Sequence, residues 1–221
     1  MGAQVTQDPI VIVFGRRGCG KTHLARRIAQ HQARVVAWDF IGDEYGPMAN
    51  YYDGDLEGFA QFLELTKGRK FAAARYIPAE DVAGEFEKFC RLLLKTENFV
   101  VVVEEAAEVC QAGHLPPGFG RLVRQGRHAG LGLLATTQRL SEVSRTLTAL
   151  ADVFVGFSTT EPRDLAALSE RTTPEFAERV KSLPVHEFLV WDVRTQAAHC
   201  DSDQLLTVWG APIIWANQAL S

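Results

Sequence analysis

The sequence predicts an α/β fold, a mainly parallel sheet with helices on both faces. Three observations predict it. Short apolar runs alternate along the chain with longer amphipathic segments, the order of repeated strand–helix–strand units. Several runs are nearly continuous, as in FVVVV at 99–103, which suits strands buried on both sides. A glycine-rich phosphate-loop pattern, GRRGCGKT at 15–22, also lies between the first apolar run and the first amphipathic segment, where such folds carry it.

Taken in order, strands are expected at 9–14 (PIVIVF), 34–38 (RVVAW), 70–76 (KFAAARY), 99–103, 131–136 and 152–157 (DVFVGF). Helices are expected at 20–32, 54–66, 80–95, 118–129 and, in pieces, 161–181. Further on, EFLVWDV and AAHCD flank an Arg-Thr-Gln turn and read as two antiparallel strands. The stretch VWGAPIIWANQALS is apolar without a clear period, suited to packing back on the core or docking on a neighbour. No repeat, low-complexity tract or linker divides the 221 residues, so a single domain is expected over 1–221. Within it, 1–8 form an N-terminal arm and 186–221 the C-terminal strands and tail.

Composition removes several function classes. No apolar stretch approaches the ~18–20 residues needed to span a bilayer, and the start lacks a signal-like core. Cys19, Cys90, Cys110 and Cys200 are widely separated, which suits reduced thiols in a cytoplasm. The six histidines form no metal-ligand spacing. A net charge of -4 gives no global basic field, so any nucleic-acid surface must be local.

The chemistry starts at the glycine loop. GRRGCGKT matches G-x-x-x-x-G-K-[ST] in full. Gly15, Gly18 and Gly20 let the backbone turn its N–H groups toward phosphate oxygens, and the next helix adds positive potential. Cys19, Gly20, Lys21, Thr22 and His23 complete the expected ATP cradle, with Lys21 reaching the β- and γ-phosphates and the Thr22 hydroxyl ligating Mg²⁺. Arg16 and Arg17 are open between phosphate, a neighbouring subunit, DNA and plain solvation. In FVVVVEE an apolar strand ends in two acids, at the strand exit where open α/β sheets place ligands. Glu104 is assigned to Mg²⁺ through water and Glu105 to orienting or activating the hydrolytic water. Glu108 reads as surface.

Two further segments carry a family resemblance. RLVRQGRHAGLGLLATTQRLSEV (121–143) resembles the segment of HerA/FtsK-type DNA-pumping ATPases that runs from an Arg-rich helix through glycine into an "ATQRP" strand end. WDFIGDEYG (38–46) looks like the second strand of the HerA type, ending in Asp and followed by "GEY". With the glycine loop and the paired acids, the resemblance covers about residues 9–170. The chain departs from it in having Leu140 where proline is usual and Glu104 where aspartate is usual.

The resemblance implies a RecA-like P-loop ATPase fold with the Gln138 strand between the P-loop strand and the acidic strand. It implies that Gln138 senses the γ-phosphate, flanked by Thr137 and Arg139. Arg121, Arg124 and Arg127 recur every three residues and form a slanting stripe, in the absence of other information a solvated helix face. In the family position, Arg127 would instead reach the γ-phosphate of an adjacent subunit, with Arg124 and Arg139 as alternates and Arg163 in TEPRD behind them. An arginine supplied in trans implies a homo-oligomeric ring, usually a hexamer, threaded by double-stranded DNA. The loop GHLPPGFGR (113–121) would face such a pore, with Arg121 on DNA phosphate, or would be a plain surface connection.

Neither a membrane anchor nor an added DNA-reading or β-barrel domain is visible, so a bare motor core is expected, most like a small viral genome-packaging ATPase. Its setting would be the host cytoplasm or a virion vertex, with a capsid or membrane vertex protein as a further partner. A HerA-like DNA-processing translocase and a phage-morphogenesis or conjugation-type ATPase are the alternatives. A nucleotide switch or a small-molecule kinase fits less well: Glu104, Glu105 and Gln138 together favour turnover, and no Arg-rich lid is seen.

Overall fold

The computed structural model describes residues 8–42, 50–199, 206–208 and 211–213. Its elements are β1 (Ile10–Phe14), α1 (Lys21–Gln30), β2 (Arg34–Trp38), β3 (Tyr51–Asp53), α2 (Leu56–Leu65), β4 (Ala72–Ile77), α3 (Val82–Leu93) and β5 (Val100–Val103). There follow α4 (Ala106–Val109), α5 (Pro117–Gln125), β6 (Gly132–Thr137), α6 (Arg145–Leu150), β7 (Val153–Phe157), α7 (Pro162–Arg171), α8 (Pro174–Lys181), β8 (Phe188–Asp192) and β9 (Ala197–His199). These strands form one sheet in the order β3-β4-β2-β5-β6-β1-β7-β8-β9, parallel as far as β7 and antiparallel from there. Two short strands, β10 (Leu206–Val208) and β11 (Ala211–Ile213), pair antiparallel in a second sheet.

The period of two along each strand divides the apolar residues between two cores. Ile10, Ile12, Phe14, Trp38, Val101, Val103, Leu133 and Ala135 face one way, onto residues of α2, α3, α5 and α6. Val11, Val13, Ala37, Val102, Leu134 and Val155 face the other, onto Leu24, Ala25, Ile28 and Ala29 of α1. The first core is strongly aromatic. Trp38 stacks on Tyr76 with centroids 5.5 Å apart and meets Phe86 edge-on at 4.9 Å, while Phe59 stacks on Phe89 at 5.1 Å. All five rings are fully buried.

Local chemistry sets the helix boundaries. Asp55 accepts the Gly58 N–H at 2.8 Å to cap α2, and Asp81 accepts the Gly84 N–H at 3.0 Å to cap α3. Two expectations need correction. Position 117 already belongs to α5, with Pro117 in its favoured place at the helix start, and the α-helix stops at Gln125. Residues Gly126–Ala129 tighten into a 3-10 turn, ended by Gly130 in the left-handed region at φ 67°. The elements β3, α4 and α6, of three, four and six residues, are too short to show a period and are not expected from the sequence. The expected arm at 1–7, the DEYG of 43–46, Cys200, Asp201 and most of the apolar tail lie outside the described residues.

Candidate active site

The P-loop connects the end of β1 to α1. Gly15, Gly18 and Gly20 have φ of 146°, 76° and 106°. At Gly15 the need for glycine is twofold, because a Cβ there would also sit 2.6 Å from the Phe157 Cβ. The loop is tied to β7's exit by Arg16 N–H donating to the Ser158 carbonyl at 3.3 Å. Lys21 is 6 % exposed, with Nζ donating to the Arg16 carbonyl at 3.2 Å, so its ammonium is held inside the loop. Cys19 is buried; burial pushes its thiol up, against the opposing influence of the Lys21 and Arg16 charges. Arg16, Arg17, Gly18 and His23 are exposed around the cradle.

The acids arrive from β5, two strands away. Glu104 is 1 % exposed, and its N–H extends the ladder to the Trp38 carbonyl at 3.1 Å. The Thr22 hydroxyl donates to Glu104 Oε1 at 3.1 Å, joining the first turn of α1 to the acidic strand. Glu105 has φ 45° and ψ 56°, in the left-handed region that non-glycine residues seldom occupy. The two consecutive acids meet different partners. The Glu105 N–H donates to the Thr136 hydroxyl at 3.2 Å, and its carboxylate accepts the Gln138 amide at 3.1 Å.

Gln138 reaches this position because β6 lies between β1 and β5, with Phe14 beside Thr137 and Val103 beside Ala135. Sequence reasoning thus brought together Lys21, Thr22, Glu104, Glu105 and Gln138, and the sheet order places all five at the same strand ends. Beyond Gln138 the chain is pinned. Arg139 N–H donates to the Thr137 hydroxyl at 3.2 Å, and its Nε donates to Asp164 at 3.0 Å. Asp164 is completely buried and also accepts the Ser141 N–H at 3.0 Å and the Ser141 hydroxyl at 2.6 Å.

The arginines are spread out. Arg139, proposed as an alternate finger, is engaged within its own chain by Asp164 and by Glu161 at 3.3 Å. Arg121, Arg124 and Arg127 are all exposed, and Arg124 donates to the Gly120 carbonyl one turn back at 3.1 Å. Arg127 is 57 % exposed, 3.9 Å from Asp152 at the start of β7. This places it at the amino-terminal edge of the sheet, opposite the P-loop. The five residues of β1 separate the two edges by about 17 Å, so Arg127 cannot serve the site of its own subunit. The loop 113–121 is only partly a loop: Phe119 is buried, and Gly118 N–H donates to Glu87 of α3 at 2.7 Å.

Three residues near the site escaped the sequence reading. Asp164 occupies an ordinary acidic position in the first turn of α7, with nothing to mark it as buried. Phe157 looks like any strand residue. His186, at φ 71°, belongs to a turn whose nearness to Gly20 follows only from the antiparallel return of β8 beside β7.

No family model matches the chain. Protein P9 of Pseudoalteromonas phage PM2 is 33 % identical over 142 residues, spanning 62 % of this chain and 62 % of that protein. The genome packaging NTPase B204 of Sulfolobus turreted icosahedral virus 2, solved with AMPPCP, superposes with a TM-score of 0.73 at 25 % identity. That match covers 88 % of this chain and 97 % of B204, which has also been solved with AMP and with ATP-gammaS. VirB4 of Thermoanaerobacter pseudethanolicus shares the fold at a TM-score of 0.57 and 12 % identity, over 82 % of this chain and 86 % of that one. Motif order, sheet order and these likenesses agree: the chain has the RecA-like P-loop ATPase fold, and it is similar to viral genome-packaging ATPases of the HerA/FtsK type.

Proposed function

We propose that the chain is an ATP-hydrolysing ring motor that moves double-stranded DNA and packages a viral genome into a preformed capsid. One observation carries the ATPase part. Thr22–Glu104 and Gln138–Glu105 form two linked polar pairs beside the P-loop, each 3.1 Å long, on four residues from three separate segments. A structural sheet end has no need of two acids divided between two such partners.

The chain's own groups suit the reaction. The P-loop N–H groups and Lys21 hold the triphosphate, Lys21 exchanging the Arg16 carbonyl for phosphate oxygen. The Thr22 hydroxyl and the Glu104 carboxylate are adjacent hard oxygen donors of the kind that would hold Mg²⁺, Glu104 through water. Bound there, Mg²⁺ supplies charge neutralisation for phosphoryl transfer. Glu105 orients the attacking water and takes its proton. The Gln138 amide, held on Glu105, exchanges that bond for γ-phosphate or for the water, and so couples the acid to the presence of ATP.

The position of Arg127 supports a ring. Because it lies at the opposite sheet edge from its own P-loop, it completes a site only on a neighbouring subunit, where an arginine in trans is worth ~10³–10⁵ in rate. Likeness to a genome packaging NTPase supports a viral genome as the cargo; its being duplex DNA and a capsid vertex as the docking place belong to the proposal. The site assignment is tested by ATP hydrolysis and ATP binding in Lys21→Ala and Glu105→Gln. Both should lose hydrolysis, and Glu105→Gln should keep binding. Undiminished hydrolysis in either would refute the assignment.

A further inference from the structure

The two flanks of the P-loop are chemically different. On the β6 and β5 side stand Gln138, Glu104 and Glu105, all acting on the γ-phosphate or its metal in the proposed mechanism. A nucleotide whose terminal phosphate points to that side sends its nucleoside end along the start of α1 toward β7 and β8. That second flank carries two rings. A Cβ placed on Gly20 would lie 3.4 Å from the Phe157 ring and 3.6 Å from His186 Nδ1, so both rings border the last residue of the cradle.

His186 belongs to a turn between α8 and β8, closed by Glu187 N–H donating to the Pro184 carbonyl at 3.3 Å. Its φ of 71° is an unfavoured conformation for a residue with a side chain, and such positions persist where the surroundings dictate them. The turn leaves the imidazole exposed and Val185 49 % exposed. An exposed ring is therefore held next to the phosphate cradle, with the exposed Val185 as its neighbour in the chain. Phe157, which borders Gly20 as well, is buried against Phe188 at 5.1 Å between centroids.

We propose that Val185 and His186 form the platform for the base of the bound nucleotide, the base stacking on the imidazole with Val185 against its edge. The inference rests on the P-loop reading and goes beyond it, to how the site tells a nucleoside triphosphate from a bare polyphosphate. A flat stacking surface accepts any purine face, so ATP and GTP are held about equally.

Calorimetric titration of the full chain with ATP, GTP and inorganic tripolyphosphate, each with Mg²⁺, tests it. His186→Ala should weaken ATP and GTP binding alike by about tenfold and leave tripolyphosphate binding unchanged. His186→Phe, which keeps a flat ring at the same backbone angle, should restore ATP binding. Unchanged ATP binding in His186→Ala overturns the platform, as does an equal loss for tripolyphosphate, which would mean a disturbed cradle. Lys21→Ala serves as the separate control: all three ligands should weaken, and if none does, the P-loop reading itself fails.

Discussion

Lys21 and Glu105 show how single residues carry the site. Lys21 is buried with its ammonium on a loop carbonyl, so Lys21→Ala removes a buried positive charge from the cradle. Glu105 sits in the left-handed region beside the Gln138 amide, and Glu105→Gln keeps the shape while removing the base. Gln138→Ala frees the Glu105 carboxylate from its amide partner; turnover should fall by one to two orders of magnitude while ATP affinity changes little, as steady-state and binding measurements would separate. At this scale the sequence was highly legible. The glycine loop is a local pattern, and its neighbours in the chain are its neighbours in space. Glu104 and Glu105 were legible as a pair, but the different partners they meet were not. His186 and Asp164 were illegible, because their importance comes from residues far along the chain.

The elements explain why strands were easier to read than the short pieces that connect them. Buried strands announce themselves by continuous apolar runs, and Arg34–Trp38 falls where RVVAW predicts it. Short pieces such as α4 and α6 hold too few residues for a period, and at Gly126, where α5 gives way to the 3-10 turn, a Cβ would lie only 3.2 Å from the Leu131 side chain. The exit of β6 is tied to α7 through Asp164, which holds Arg139 and Ser141 together. Asp164→Asn keeps the volume but weakens that tie. It should lower turnover about tenfold with ATP affinity near normal, whereas an equal fall in affinity would place the effect in general misfolding instead. Arg127, at the far edge of the sheet, makes a different forecast. Arg127→Ala subunits should bind ATP and not hydrolyse it, and mixing them with Glu105→Gln subunits should recover part of the activity, since some interfaces then pair a sound acid with a sound arginine.

Across the whole molecule, two cores on opposite faces of one sheet hold the site rigid. The aromatic cluster around Trp38 and Phe89 carries much of that stability. Phe89→Ala should cost ~3–5 kcal/mol by cavity formation, seen as a lowered denaturant midpoint. Alkali acts on the same core. Burial pushes the Cys110 thiol up to about 11, and Cys90 is raised as well, so above about pH 9 the unfolded chain loses protons that the folded one retains. Stability should therefore fall between about pH 9 and about pH 11, and replacing Cys110 with Ala should flatten part of that slope. The fold class was legible from the alternation of segments and the motifs, and the sheet neighbours of β6 from the family resemblance; the edge strand β3 and the covering of each face were not, because they depend on packing between distant segments. No helix among the described residues is long and apolar enough to cross a membrane.

The central claim is that ATP turnover in this chain is coupled to duplex DNA, and the measurement that meets it most directly is the hydrolysis rate with and without linear double-stranded DNA. The rate should rise several-fold with duplex DNA, and the rise should vanish in Arg127→Ala. A rate indifferent to duplex DNA at every concentration tried would contradict the motor and leave only an ATPase.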